Sequence, residues 1–185
     1  MPVEAWEQLG SELAFTDPHF RVRRDTLRLP SGRIVDDYFV GVLEDYALVV
    51  AVTPRGEVVL ARQWKQGVRR VTLELPGGKL DGHETPAETA ARELREETGF
   101  EAPELELLAS LDVDASKAAN KGHIFLGVDA ERLHDPEAHE MESPEVVLAP
   151  LSGVPGLIAA GEICGAASVA GLLLALSARA PRDRG

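Results

Sequence analysis

The chain has 185 residues, with 19 basic and 31 acidic side chains, a net charge of −12. That length favours one domain with a core of ordinary size, and 44% hydrophobic with 27% charged residues excludes a disordered chain. The acidic balance speaks against a nucleic-acid coat or a membrane-surface protein, which need basic patches, but not against a small anionic ligand met by a bound cation.

Cys164 is the single cysteine, so no intrachain disulfide is possible and a reducing, cytoplasmic setting is expected. Met1–Gly10 shows no signal-peptide pattern. Arg21–Val42 reads as a β-hairpin: Leu27 and Leu29 alternate with Thr26 and Arg28, Pro30-Ser31-Gly32 turns, and Ile34–Val42 returns. Tyr46–Thr53 is a near-continuous apolar run, as a central strand requires. Pro54-Arg55-Gly56-Glu57 is a turn, Val58–Gln63 the next strand, and Val71–Leu75 a short one stopped by Pro76-Gly77-Gly78. Trp64 is expected in the core in preference to a base-stacking platform.

The best-marked helix follows. Thr85 suits the N-cap, Pro86 the first helical position, Glu88 a capping box and Gly99 a left-handed C-terminal cap. Strands are expected at Leu105–Val113, His123–Asp129 and Glu145–Ala149, and helices near Val154–Ala160 and Ala166–Arg179. Ile163–Ala178 carries no charge but is shorter than the ~20 residues of a bilayer span, so it reads as a buried helix. Residues 181–185 are expected to be disordered.

On the helical wheel Ala87, Ala90, Ala91 and Leu94 share one face. Glu93 and Glu97 fall together on one flank, with Glu96 beside them. Three neighbouring carboxylates repel one another, and a bound divalent cation removes that cost. Hard cations such as Mg²⁺ take oxygen ligands. The glycine-rich turn lets backbone carbonyls come close, and Arg92 can pair with Glu84 to hold the loop on the helix.

Gly78, five residues, Glu84, seven residues, then Arg92-Glu93-Leu94-Arg95-Glu96-Glu97-Thr98-Gly99-Phe100 resembles the Nudix box, G-x5-E-x7-R-E-U-x-E-E-x-G-U, with every specified position filled. The resemblance implies an α/β fold, the Nudix α/β/α sandwich around a mixed β-sheet, here with an additional N-terminal β-hairpin. It implies hydrolysis of a nucleoside diphosphate derivative with Mg²⁺ or Mn²⁺. Glu93, Glu96, Glu97 and the carbonyl of Gly77 would hold metal, with Glu84 behind them, and Glu93 and Arg92 would belong to the catalytic set.

Further stretches resemble the ADP-ribose and nucleotide-sugar pyrophosphatase branch: Leu29-Pro30-Ser31-Gly32 with Asp37-Tyr38, Arg62-Gln63-Trp64-Lys65, Leu73–Gly78, and Gly161–Ser168. This likeness implies a small nucleotide-sugar substrate, ADP-ribose first, with Arg62, Lys65 and Glu74 contacting it, and no nucleic-acid or membrane partner. It implies that residues 1–43 form a hairpin extension exchanged in a homodimer, and 44–180 the hydrolase domain. The general base would come from a late loop, at Glu142, with Glu140 the next candidate. Lys117 and Lys121 would face either the distal sugar or solvent. Two departures stand out: Ala115 where ADP-ribose hydrolases commonly carry proline, and Lys65 where the branch often has arginine. Alternatives are GDP-mannose or another nucleoside di- or triphosphate derivative as substrate, or a non-catalytic ligand sensor.

The charge is localised. Lys79–Glu101 holds seven acids against three bases, and Glu131–Glu145 six against one. These are the carboxylate helix and the proposed base loop.

Overall fold

The computed structural model describes residues 3–137 and 144–179. It divides into two compact units. One holds residues up to Glu44 together with Asp112–Lys121; the other holds Asp45–Leu111 and the residues from Gly122 onward.

The first unit is built on three antiparallel strands in the order β1 (Glu7–Asp17), β2 (Phe20–Arg28), β3 (Ile34–Val42). The turn between β2 and β3 lies where Pro30-Ser31-Gly32 places it. Gly32 N–H donates to Leu29 O at 2.8 Å, and Gly32 takes φ +83°, which glycine adopts without a Cβ penalty. The expected hairpin therefore forms, and β1 adds a strand that the hairpin reading omits. The buried Asp25 carboxylate is satisfied by Ser11 Oγ at 2.7 Å and Arg23 Nε at 3.0 Å. Asp112–Lys121 joins this unit through backbone bonds: Gly41 N–H donates to Lys117 O at 2.7 Å and Ala119 N–H to Gly41 O at 2.9 Å. Lys117 Nζ stands 4.0 Å from the centre of the Tyr38 ring, and Lys121 pairs with Asp112 at 2.7 Å.

The second unit is a mixed sheet covered on both faces. Its strands are β4 (Tyr46–Val52), β5 (Glu57–Lys65), β6 (Arg70–Glu74), β7 (Gly77–Lys79), β9 (Glu106–Asp112), β10 (Lys121–Val128) and β12 (Glu145–Pro150). The order is β12-β5-β4-β10-β9, with β6 on β5 and β7 on β4. β10 runs parallel to β4, with Gly122 opposite Tyr46; β12, β6 and β7 pair antiparallel. A two-stranded ribbon joins β8 (Phe100–Glu101) to β11 (Glu131–Arg132). The helices are α1 (Pro86–Thr98), α2 (Val154–Ala159) and α3 (Ala166–Arg179).

The apolar run of β4 is explained by the two covers. Side chains alternate between faces along a strand. Ala47, Val49 and Ala51 pack with Ala90 and Leu94 of α1, while Leu48, Val50 and Val52 pack with Val154, Ile163 and Leu172 on the α2/α3 side. This is the expected sandwich. α3 buries Leu172 and Ala175 and leaves Leu173 and Leu174 exposed, so it is covered on one side only. Among the described residues no helix is long and apolar enough to cross a membrane. Pro76-Gly77-Gly78 does not end the sheet, since Gly77–Lys79 continues as β7 on β4.

Candidate active site

The site is assembled where the chain passes from β6 through β7 into α1. Four successive residues are gripped by four different partners. Glu74 Oε1 accepts from Thr72 Oγ1 at 3.1 Å. Leu75 N–H donates to Ser168 Oγ on α3 at 3.1 Å. Pro76 O accepts from Val49 N–H at 3.0 Å, and Gly77 N–H donates to Glu97 Oε2 at 2.9 Å. Glycine is required twice by close approach. A Cβ on Gly77 would strike the Ala47 carbonyl, and one on Gly78 would strike the Glu93 carboxylate.

The helix that carries the acids is fixed at both ends. Thr85 Oγ1 accepts from Glu88 N–H at 3.3 Å while Glu88 Oε2 accepts from Thr85 N–H at 2.8 Å, the capping box expected from sequence. Gly99 closes the other end at φ +73°, its N–H donating to Arg95 O. Gly99 has a second reason to be glycine: a Cβ there would strike the backbone carbonyl of His134.

Arg92 organises the carboxylates. Its Nε donates to Glu84 Oε1 at 2.9 Å and its Nη2 to Glu84 Oε2 at 3.1 Å. Its Nη1 donates to Glu93 Oε1 at 2.9 Å and Glu96 Oε2 at 3.0 Å. Glu84 Oε2 also accepts from Thr89 Oγ1 at 2.9 Å. The Arg92 guanidinium holds the Glu84 carboxyl below the usual range, with Thr89 assisting and burial opposing, and Glu84 in turn raises Arg92. Glu84 is thus the loop's anchor to α1.

Glu84, Arg92, Glu93 and Glu96 form one cluster, and buried Glu97 sits at the Gly77 amide. Lys65 and Glu74 also meet, Nζ to Oε2 at 3.5 Å, whereas Arg62 pairs with Glu145 of β12 at 3.4 Å. Glu142 and Glu140 lie outside the described residues, as does the tail. Trp64 is not in the core: it is 56% exposed and its indole N–H donates to Gln66 Oε1 at 3.1 Å. It stands opposite Val71, itself 58% exposed, on the β5–β6 hairpin, where no helix covers it. The residue that sequence reasoning missed is Ser168. A serine in an Ala- and Leu-rich helix carries no chemical signal, and its role depends on a contact 93 residues away.

Among the described residues no three carboxylate, imidazole or thiol groups converge closely enough to hold a metal ion. The donor set nevertheless fits a hard cation. Two carboxylates from adjacent turns converge on a single cationic nitrogen, Arg92 Nη1, and the remaining donors are oxygens too.

Residues 42–154 match the NUDIX domain model. The chain belongs to the Nudix family. Residues 6–40 match a second family, the nucleoside diphosphate sugar hydrolase N-terminal domain. Among curated proteins, an ADP-ribose pyrophosphatase of Mycobacterium tuberculosis is 33% identical over 172 residues, covering 91% of this chain and 82% of that one. A CMP-5'-(N-acetyl-N-hydroxy-3-aminopropyl)phosphonate hydrolase of Streptomyces rubellomurinus is 27% identical over 179 residues, covering 97% and 86%. A crystal structure of an ADP compounds hydrolase matches at a TM-score of 0.82 and 23% identity, covering 96% of this chain and 95% of that one, a likeness of fold. With these relatives the chain stands in the ADP-ribose pyrophosphatase branch, as a Nudix pyrophosphatase.

Proposed function

We propose that this Nudix enzyme cleaves the pyrophosphate bond of a nucleoside diphosphate sugar, with ADP-ribose as substrate and AMP and ribose 5-phosphate as products. The observation that carries the reading is the carboxylate cluster of α1 set against the Gly77-Gly78 cradle. Glu93, Glu96, Glu97 and the Gly77 carbonyl would hold Mg²⁺, or Mn²⁺. Such a cation screens the pyrophosphate charge and lowers the pKa of water near it. Glu84 and Arg92 orient the cluster. Glu142 takes a proton from the attacking water, the new P–O bond forms, and the bridging P–O bond breaks with its electron pair on the leaving phosphate. Lys65 and Arg62 supply positive charge to the substrate, and the Glu74 carboxylate orients Lys65.

A second reading has support of its own. Lys65 is a point charge where the branch often has the bidentate arginine, and a relative spanning nearly the whole chain is named for a CMP-linked substrate. Another nucleoside di- or triphosphate derivative, GDP-mannose among them, follows if ADP-ribose is refused. A panel of such compounds, incubated with and without Mg²⁺ and scored for phosphatase-sensitive product, decides between them. Cleavage of none would leave a ligand sensor.

The same reading makes residues 1–43 a homodimerisation extension, 44–180 the hydrolase domain, and the cytoplasm the working compartment. Support for dimerisation is the exposure of Trp6, Leu9, Leu13 and Phe15 in and beside β1. Size-exclusion with light scattering tests it: a monomer at micromolar concentration would end the dimer proposal.

A further inference from the structure

Arg95 fills the position that the R-E-U-x-E-E run leaves open. Its Nη2 nevertheless lies 3.4 Å from Glu96 Oε1 and 3.7 Å from Glu137 Oε1. Arg92 Nη1 holds the other Glu96 oxygen, so each oxygen of that carboxylate meets an arginine. Glu137 is itself tied to α1, its N–H donating to Glu96 O at 2.8 Å. Just before it, the Leu133 and His134 N–H groups both donate to Gly99 O, at 3.0 and 3.1 Å, and His134 Nε2 meets Glu101 Oε1 at 2.8 Å. Residues 133–137 therefore lie across the last turn of α1.

We infer that Arg95 is a positioning residue that locks the Glu96 carboxylate to Glu137 across the end of α1. This rests on the pyrophosphatase reading for its catalytic consequence. An isolated, half-exposed ion pair is worth little. Here three backbone bonds already hold the two partners in place, so the pair orders little that is not ordered, and one guanidinium nitrogen, Nη2, meets both acids. On the wheel Arg95 lies on the flank of Leu94 opposite Glu93 and Glu97, so it acts on the cluster from outside the cradle.

The test uses the full chain with Arg95→Met, Arg95→Lys, Glu137→Gln and the Arg95→Met/Glu137→Gln double variant. Amide hydrogen exchange over 133–137 reads the lock without reference to activity. The Arg95→Met variant is expected to exchange there about 10-fold faster, in the manner of local opening. Its kcat should fall about 10-fold with KM within about 2-fold, as for an interaction that matters beyond substrate binding. Arg95→Lys should recover part of both. The double variant should be no worse than Arg95→Met alone, because that substitution already removes the contact that Glu137→Gln removes. Unchanged exchange, unchanged kcat, or additive losses would each overturn the inference. If the unsubstituted protein cleaves nothing in the panel, the pyrophosphatase reading fails instead, and exchange still decides the lock.

Discussion

The hydroxyl of Ser168 accepts the N–H of Leu75 at 3.1 Å, in a buried setting, joining the first turn of α3 to the strand end that leads into the glycine cradle. No other backbone group serves that N–H in the ladder of β5 and β6, whose register ends at Glu74. Ser168→Ala would leave a buried donor unsatisfied, at about 1–3 kcal/mol. Urea denaturation should show a lower midpoint with an unchanged slope, and unaltered stability would show that another acceptor takes the N–H.

The two cradle glycines should fail differently. A Cβ at 77 meets backbone, the Ala47 carbonyl, which cannot step aside. Gly77→Ala is expected to lose about 1–3 kcal/mol of stability, as overpacked sites do. A Cβ at 78 meets only the end of the Glu93 side chain. Gly78→Ala should keep its melting temperature yet lose about 10²-fold in kcat, because a carboxylate displaced by ~1 Å misaligns the reacting groups. Parallel melting and kinetic measurements separate the two cases.

Acid should loosen the loop through Glu84. Its carboxyl is held below the ordinary 4.5 by Arg92, so its ionised form is favoured in the folded state. A depressed folded pKa contributes stability that is present above the unfolded value and is lost as pH falls through the folded one. The gap in urea midpoint between the parent chain and Glu84→Gln should therefore be full at pH 6 and shrink steadily below about pH 4.5. A gap independent of pH would mean that the Glu84–Arg92 pair adds nothing to folding.

Glu142→Gln should lower turnover by about 10²–10⁴, the span for a lost general base, and flatten the acidic limb of the pH–rate profile. If Glu140→Gln does so instead, the base is the neighbouring acid.

Much of this was legible because each signal was local or periodic. The caps of α1 at Thr85 and Gly99 are short-range chemistry, and the β4 run announces a strand buried on both faces. β1 was illegible for a physical reason. All its residues are exposed, and register breaks at Gln8/Gly10 and Leu13/Phe15 interrupt the two-residue alternation that marks a strand. Trp64 misled because its size suggests burial, whereas the hairpin that carries it leaves that ring uncovered. The Lys65–Glu74 pair and the Ser168 clasp bring together residues that no spacing rule relates. Arg92 was read as a partner of Glu84, but its reach to Glu93 and Glu96 needed coordinates.

The parallel pairing of β4 with β10 has a consequence for how the molecule is made. Gly122 meets Tyr46 only after β5, β6, β7, α1, β8 and β9 have all been synthesised. The antiparallel β1–β3 ribbon closes through nearest-neighbour hairpins and can zip early, whereas the central sheet depends on contacts between distant parts of the chain. Proteins dominated by such non-local contacts fold slowly, because loop entropy is lost before the contacts form. Until β10 is made, the edge of β4 that it covers from Tyr46 to Val52 stays open, and open strand edges of this kind are prone to aggregate.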